Sequence, residues 1–125
     1  MCLDKLTKRK TRKKYFYKIF YAYGNRLLGY CYNRNGENVT LSSSTSYQRN
    51  RWLNSVPCET LTYVGEPYTT GFHCFVNEAD AVNHINSDVM STNLKVFKVE
   101  VEDIMYTGKQ YGFDCIVARR MRICP

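Results

Sequence analysis

The sequence predicts an α+β domain: a mainly antiparallel, curved or barrel-like sheet of six to seven strands with one helix. Three observations predict it. Runs of β-branched and aromatic residues recur between Gly- and Asn-containing turn signals. Only the segment beginning at Asn77 combines a good N-cap, early acids (Glu78, Asp80) and an apolar stripe at helical spacing. A chain of 125 residues suits one domain and is short for two.

The first strand is expected at 15–23, where every residue type but Lys and Ala favours extended backbone. Tyr15, Tyr17, Ile19, Tyr21 and Tyr23 share one parity and should face the core. Phe16, Lys18, Phe20 and Ala22 share the other, which should be half wet. Gly24-Asn25-Arg26 reads as a hairpin turn into 27–32, and Asn33-Arg34-Asn35-Gly36 as a second turn into a weaker strand at 37–42.

Residues 43–58 form a long irregular connection, with Trp52 between Arg49 and Arg51 as its anchor to the body. Strands follow at 59–64 and 71–75, then the helix with Ala81, Val82, Ile85 and Val89 on its stripe. In 94–102 the apolar parity changes between Val96 and Phe97, and a bulge there would keep all five apolar residues on one face. A turn at Thr107-Gly108-Lys109 should lead into the last strand, 113–123.

Charge divides sharply along the chain. Seven of the 18 basic residues and one of the 11 acids fall within 1–14, leaving eleven bases against ten acids in the rest. The division expected is therefore a disordered basic arm, 1–14, and a nearly neutral α+β domain, 15–125. Composition, at 44% apolar and 14% aromatic, excludes a wholly disordered chain. No apolar run reaches the roughly 18 residues of a membrane span, and the N-terminus lacks a signal-peptide core, so no membrane association and a cytoplasmic setting are expected. The six cysteines have irregular spacings and read as thiols in a reducing compartment.

The arm supplies the first candidate chemistry. Lys8, Arg9, Lys10, Arg12, Lys13 and Lys14 can gain affinity for phosphate backbones by releasing counterions. Arg49, Arg51, Arg120 and Arg122 are the folded residues that would reinforce it. The tyrosines interleaved with bases suit either a stacking platform or core packing, and core packing is the commoner outcome. His73 and Arg119 are candidates for a small pocket. Strict alternation turns Arg119 inward, where a guanidinium needs a carboxylate or an anion, whereas a bulge would let it reach solvent. Cys74 or Cys115 could pair with His73 as a nucleophile, but a buried thiol beside a hydrogen-bonded histidine is the commoner outcome. With no C-x-x-C pair, no phosphate-binding loop and no dinucleotide fingerprint, neither a metal nor a cofactor is expected, and no catalytic residue is assigned.

Gly71-Phe72-His73-Cys74-Phe75, the Glu78-Ala79-Asp80-Ala81 helix start, the strand at 96–101 and Val117-Ala118-Arg119-Arg120-Met121-Arg122-Ile123 resemble small uncharacterised phage and prophage proteins. These carry a G-F-H-x-F element, an acidic helix and two strands ending in A-x-x-M-x-I. The likeness spans about residues 60–124 and implies context rather than an activity. The function expected is a non-enzymatic, phage-type accessory protein. Its arm would engage nucleic acid or a host nucleoprotein or defence complex in an inhibitor-like way, with the oligomeric state open. The alternative is a small enzyme or ligand-binding domain around His73 and Arg119, and a structural subunit is the third class.

Overall fold

The computed structural model describes residues 3–8, 11–23, 26–29, 49–55, 59–87 and 94–125. In chain order the elements are β1 (Lys5–Thr7), β2 (Tyr15–Tyr23), β3 (Arg26–Gly29), β4 (Trp52–Asn54), β5 (Glu59–Leu61), β6 (Pro67–Thr69), β7 (Phe72–Phe75), α1 (Glu78–Ser87), β8 (Leu94–Gln110) and β9 (Phe113–Ile123). The expected α+β class is found: seven strands share one antiparallel sheet, β5 and β6 form a separate ribbon, and one helix is present among the described residues. None of the described helical residues makes a helix long and apolar enough to cross a membrane.

The sheet curves far enough for its pairing path to return on itself. β8 pairs with β2, β2 with β7, β7 with β9, and β9 with β8. The closing link is a single residue pair, Tyr17↔Phe75. β1 lies along β8 at 107–109, β4 along β9 at 120–122, and β3 along β2.

Both faces of the sheet carry apolar packing. Phe16, Phe20, Phe72, Cys74, Ile116 and Ala118 pack in one cluster. Their neighbours of opposite parity, Ile19, Phe75, Cys115 and Val117, pack in a second with Leu3, Tyr68 of β6 and Ala81 of α1. The helix and the ribbon thus cover one face, and the sheet's own curvature serves the other.

This two-sided core corrects the expected face of β2. Phe16 and Phe20 are fully buried, whereas Tyr15 is 42% exposed. A phenyl ring needs no hydrogen-bond partner when buried, while a tyrosine hydroxyl does, so phenylalanine takes the drier side. The same reason removes the expected bulge near Val96. Pairing runs without a shift from Tyr15↔Glu100 to Tyr21↔Leu94, because Leu94 and Val96 pack on one cluster and Phe97, Val99 and Val101 on the other. The irregularity lies further on, between Ile104 and Tyr106.

The turn expected at 107–109 is also corrected. β8 runs through to Gln110 and turns at Tyr111-Gly112, both at positive φ (52° and 81°). Gly108 serves close packing instead: a Cβ there would lie 2.5 Å from the Lys5 carbonyl oxygen and 2.8 Å from a Leu3 methyl. That contact belongs to β1, which corrects the expected disordered arm over its first part. Leu3 is fully buried and 5–7 form a strand, since one apolar anchor and three ladder pairs fix the chain. The expected turn at 33–36, the strand at 37–42 and the first part of the long connection lie outside the described residues. Trp52 does anchor that connection, through β4 and two arginines of β9.

Candidate nucleic-acid interface

Residues 11–14 lead directly into β2 and are tied to the sheet where they meet it. The Val101 N–H donates to the Lys14 carbonyl at 2.8 Å, and the Lys13 N–H donates to the Thr11 hydroxyl at 3.2 Å. Arg12, Lys13 and Lys14 remain exposed. Across the ladder Tyr17 faces Lys98, whose Nζ lies 4.7 Å from the centre of the Tyr15 ring. These elements wall an open groove of about 500 Å³, lined by Arg12, Lys13, Lys14 and Lys98, by Tyr15 and Tyr17, and by Val76 to Glu78 at the start of α1. Four cations and two aromatic rings thus share one concavity, opposed by one carboxylate.

A smaller cavity of about 180 Å³ adjoins it and shares Lys13 and Val76 with it. Its wall carries Thr7, Thr11, Thr107 and Asp114, with Cys115 and Ile116 beside them. The Thr107 hydroxyl donates to the Thr7 carbonyl at 3.1 Å and lies 2.9 Å from the Thr7 hydroxyl. Asp114 pairs with Lys109 at 2.6 Å, about 30% exposed.

The basic residues singled out by sequence go to different places. Lys8 is exposed, and Arg9 and Lys10 lie outside the described residues. Arg12, Lys13 and Lys14 come together in the groove. Arg49 stacks over Phe97 at 4.9 Å, beside the bridge it makes with Ile123, and Arg51 is exposed near it. Arg120 and Arg122 are instead tied down by their register. Arg120 faces Glu102 and Arg122 faces Glu100 across β8–β9, and each pair forms a salt bridge. Both guanidinium groups also lie over Trp52, at 4.9 and 5.2 Å. This terminal cluster is a charge ladder neutralised within the sheet.

His73 and Arg119 part company. Both β9 and β8 change inward parity around 119 and 103: Ile116 and Ala118 share a cluster with Met121 and Ile123, and Asp103 adopts φ 62°. The change brings Arg119 to the surface, about half exposed, with its Nε 3.9 Å from Asp103. His73 is fully buried. Its Nδ1 lies 3.1 Å from the Gly71 carbonyl, which can only accept, and its Nε2 lies 2.9 Å from the Tyr68 hydroxyl. With a neutral ring, Nδ1 donates to Gly71 and Nε2 accepts from Tyr68, whose oxygen accepts the Leu3 N–H at 3.1 Å. Neither His73 nor Arg119 lines the groove or the cavity.

The thiols follow the bland alternative. Cys74 and Cys115 are buried and Cys124 is half-buried, and none of the three is in a disulfide. Burial first, then the neighbouring Cys74 and Asp114, pushes the Cys115 thiol far above its ordinary value, so it stays protonated and is a poor nucleophile. No group of three or more metal-binding side chains exists among the described residues.

Sequence reasoning missed Lys98, Thr107 and Asp114. Lys98 joins the tyrosines only through the β2–β8 register, which no local pattern reveals. Comparison with known proteins adds no relative: no family model, no curated protein and no solved structure matches the chain.

Proposed function

We propose that the chain is a non-enzymatic binding protein for nucleic acid, with the groove between residues 12–17, Lys98 and the start of α1 as its contact surface. One observation carries this reading: Arg12, Lys13, Lys14 and Lys98 share a concavity with Tyr15 and Tyr17. Clustered cations displace counterions from phosphates, and aromatic rings beside them stack on bases without regard to sequence. The arginines of β9 are not expected to contribute, because acids of β8 already neutralise them. The resemblance to phage proteins favours a narrower version, in which the target is a host nucleoprotein or defence complex and the protein acts as an inhibitor. Cys74, Cys115 and Cys124, none of them in a disulfide, suit the reducing host cytosol as its setting.

The experiment is a salt titration of oligonucleotide binding by the full chain and by the Arg12→Ala, Lys13→Ala, Lys14→Ala triple variant. Each phosphate neutralised on a single strand contributes about −0.7 to the slope of log affinity against log salt, so the variant should lose roughly two from the slope. An unchanged slope, or binding indifferent to salt, contradicts the reading.

A further inference from the structure

We infer that the groove takes a single strand, and that the adjoining cavity takes one unstacked base of that strand. The inference rests on the proposed function and deepens it.

The two concavities meet at Lys13 and Val76, so a backbone phosphate held by Lys13 stands at the mouth of the cavity. Their linings differ in charge, the groove being basic and the cavity close to neutral. Arg12, Lys13, Lys14 and Lys98 make the groove a place for phosphates. The cavity carries one carboxylate, Asp114, paired with Lys109, beside Lys13 at its mouth and threonine hydroxyls, so its charges largely cancel and it offers a phosphate little net attraction. What the cavity suits is an uncharged group bearing N–H donors. Its 180 Å³ is below the roughly 300–1,000 Å³ of ordinary small-molecule sites, and several times the ~30 Å³ share of one water. One planar heterocycle is the component of a nucleic acid that matches both limits.

The walls have the parts to read such a ring. Val76 and Ile116 offer apolar surface to its faces, and Asp114 and Thr107 offer acceptors and a hydroxyl to its edge. A carboxylate accepts from the exocyclic amino group of cytosine, and adenine and guanine carry amino donors too, whereas thymine and uracil carry only a ring N–H. A base inside a duplex reaches such a cavity only after it is unpaired and unstacked, at a cost of a few kcal/mol. Tyr15, 42% exposed at the groove, remains for stacking a neighbouring base.

The test is fluorescence anisotropy with the full chain and four probes of equal phosphate number: oligo-dC, oligo-dT, an abasic strand and a duplex. The probes are compared for the unaltered protein, Asp114→Asn and Thr107→Val, with circular dichroism to verify that each variant is folded. Oligo-dC should bind about tenfold or more tightly than the abasic strand and the duplex. Asp114→Asn should shrink the difference between oligo-dC and oligo-dT while leaving abasic binding within about twofold. Thr107→Val, which keeps the Lys109–Asp114 pair, should weaken oligo-dC without affecting the abasic strand. Equal affinity for all four probes, unaltered in folded variants, overturns the inference and leaves the groove reading standing. Loss of salt-dependent binding to every probe overturns the groove reading itself.

Discussion

Tyr68 joins three parts of the chain through one hydroxyl. It accepts from the Leu3 backbone and donates to His73, while its ring meets Tyr106 edge-on at 5.6 Å. Tyr68→Phe keeps the ring and removes both hydrogen bonds from a buried site, which should cost about 1–3 kcal/mol in a denaturant titration. Lys18 shows the same economy of polar burial. Only 3% exposed, it donates from Nζ to the His73 carbonyl at 2.8 Å. The thiols yield a chemical prediction. At neutral pH iodoacetamide should modify Cys124 in the native protein and spare Cys74 and Cys115, as peptide mass mapping would reveal. The pH dependence has a definite sign. Folding raises the Cys115 value above the 9.0 of an ordinary thiol, so its contribution is intact below that pH. It is lost above it, where the unfolded chain ionises and the folded one does not, and Cys115→Ala should flatten that alkaline fall in stability.

At the scale of elements, register decides which charges are free. β9 sets Arg120 and Arg122 opposite Glu102 and Glu100, and Trp52 of β4 covers both guanidinium groups. β2 sets Tyr17 opposite Lys98 on the side where residues 12–14 approach, and the bases there stay in the groove. β1 depends on a glycine for its place. Gly108→Ala drives a methyl into the Lys5 carbonyl and Leu3, so β1 should detach or shift, at about 1–3 kcal/mol. Hydrogen exchange should then rise at Asp4, whose N–H donates to the Lys109 carbonyl at 2.7 Å, while the amides of β9 that pair with β7 stay protected.

For the molecule as a whole, local chemistry made the elements legible and left their faces obscure. The strand at 15–23, the helix after Asn77 and the strand at 113–123 follow from propensity, capping and apolar spacing, and they stand where those signals put them. The inward side of β2 was not legible, because period-2 alternation names two faces without saying that both are covered. Gly108 misled for a related reason: a glycine chosen for close approach looks the same in sequence as one chosen for a turn. The basic residues at 12–14 were evident from charge alone. Lys98, Thr107 and Asp114 were not, since only long-range pairing brings them beside the arm. The described residues form a curved sheet with a basic concavity where residues 12–14 meet β2. The most direct test reverses single charges at the two basic regions and measures oligonucleotide affinity at low salt. Lys13→Glu and Lys98→Glu should each weaken binding by about tenfold or more, and Arg120→Glu by less than about twofold in protein that remains folded. The opposite ranking, with Arg120 dominant and the groove residues silent, would contradict the account.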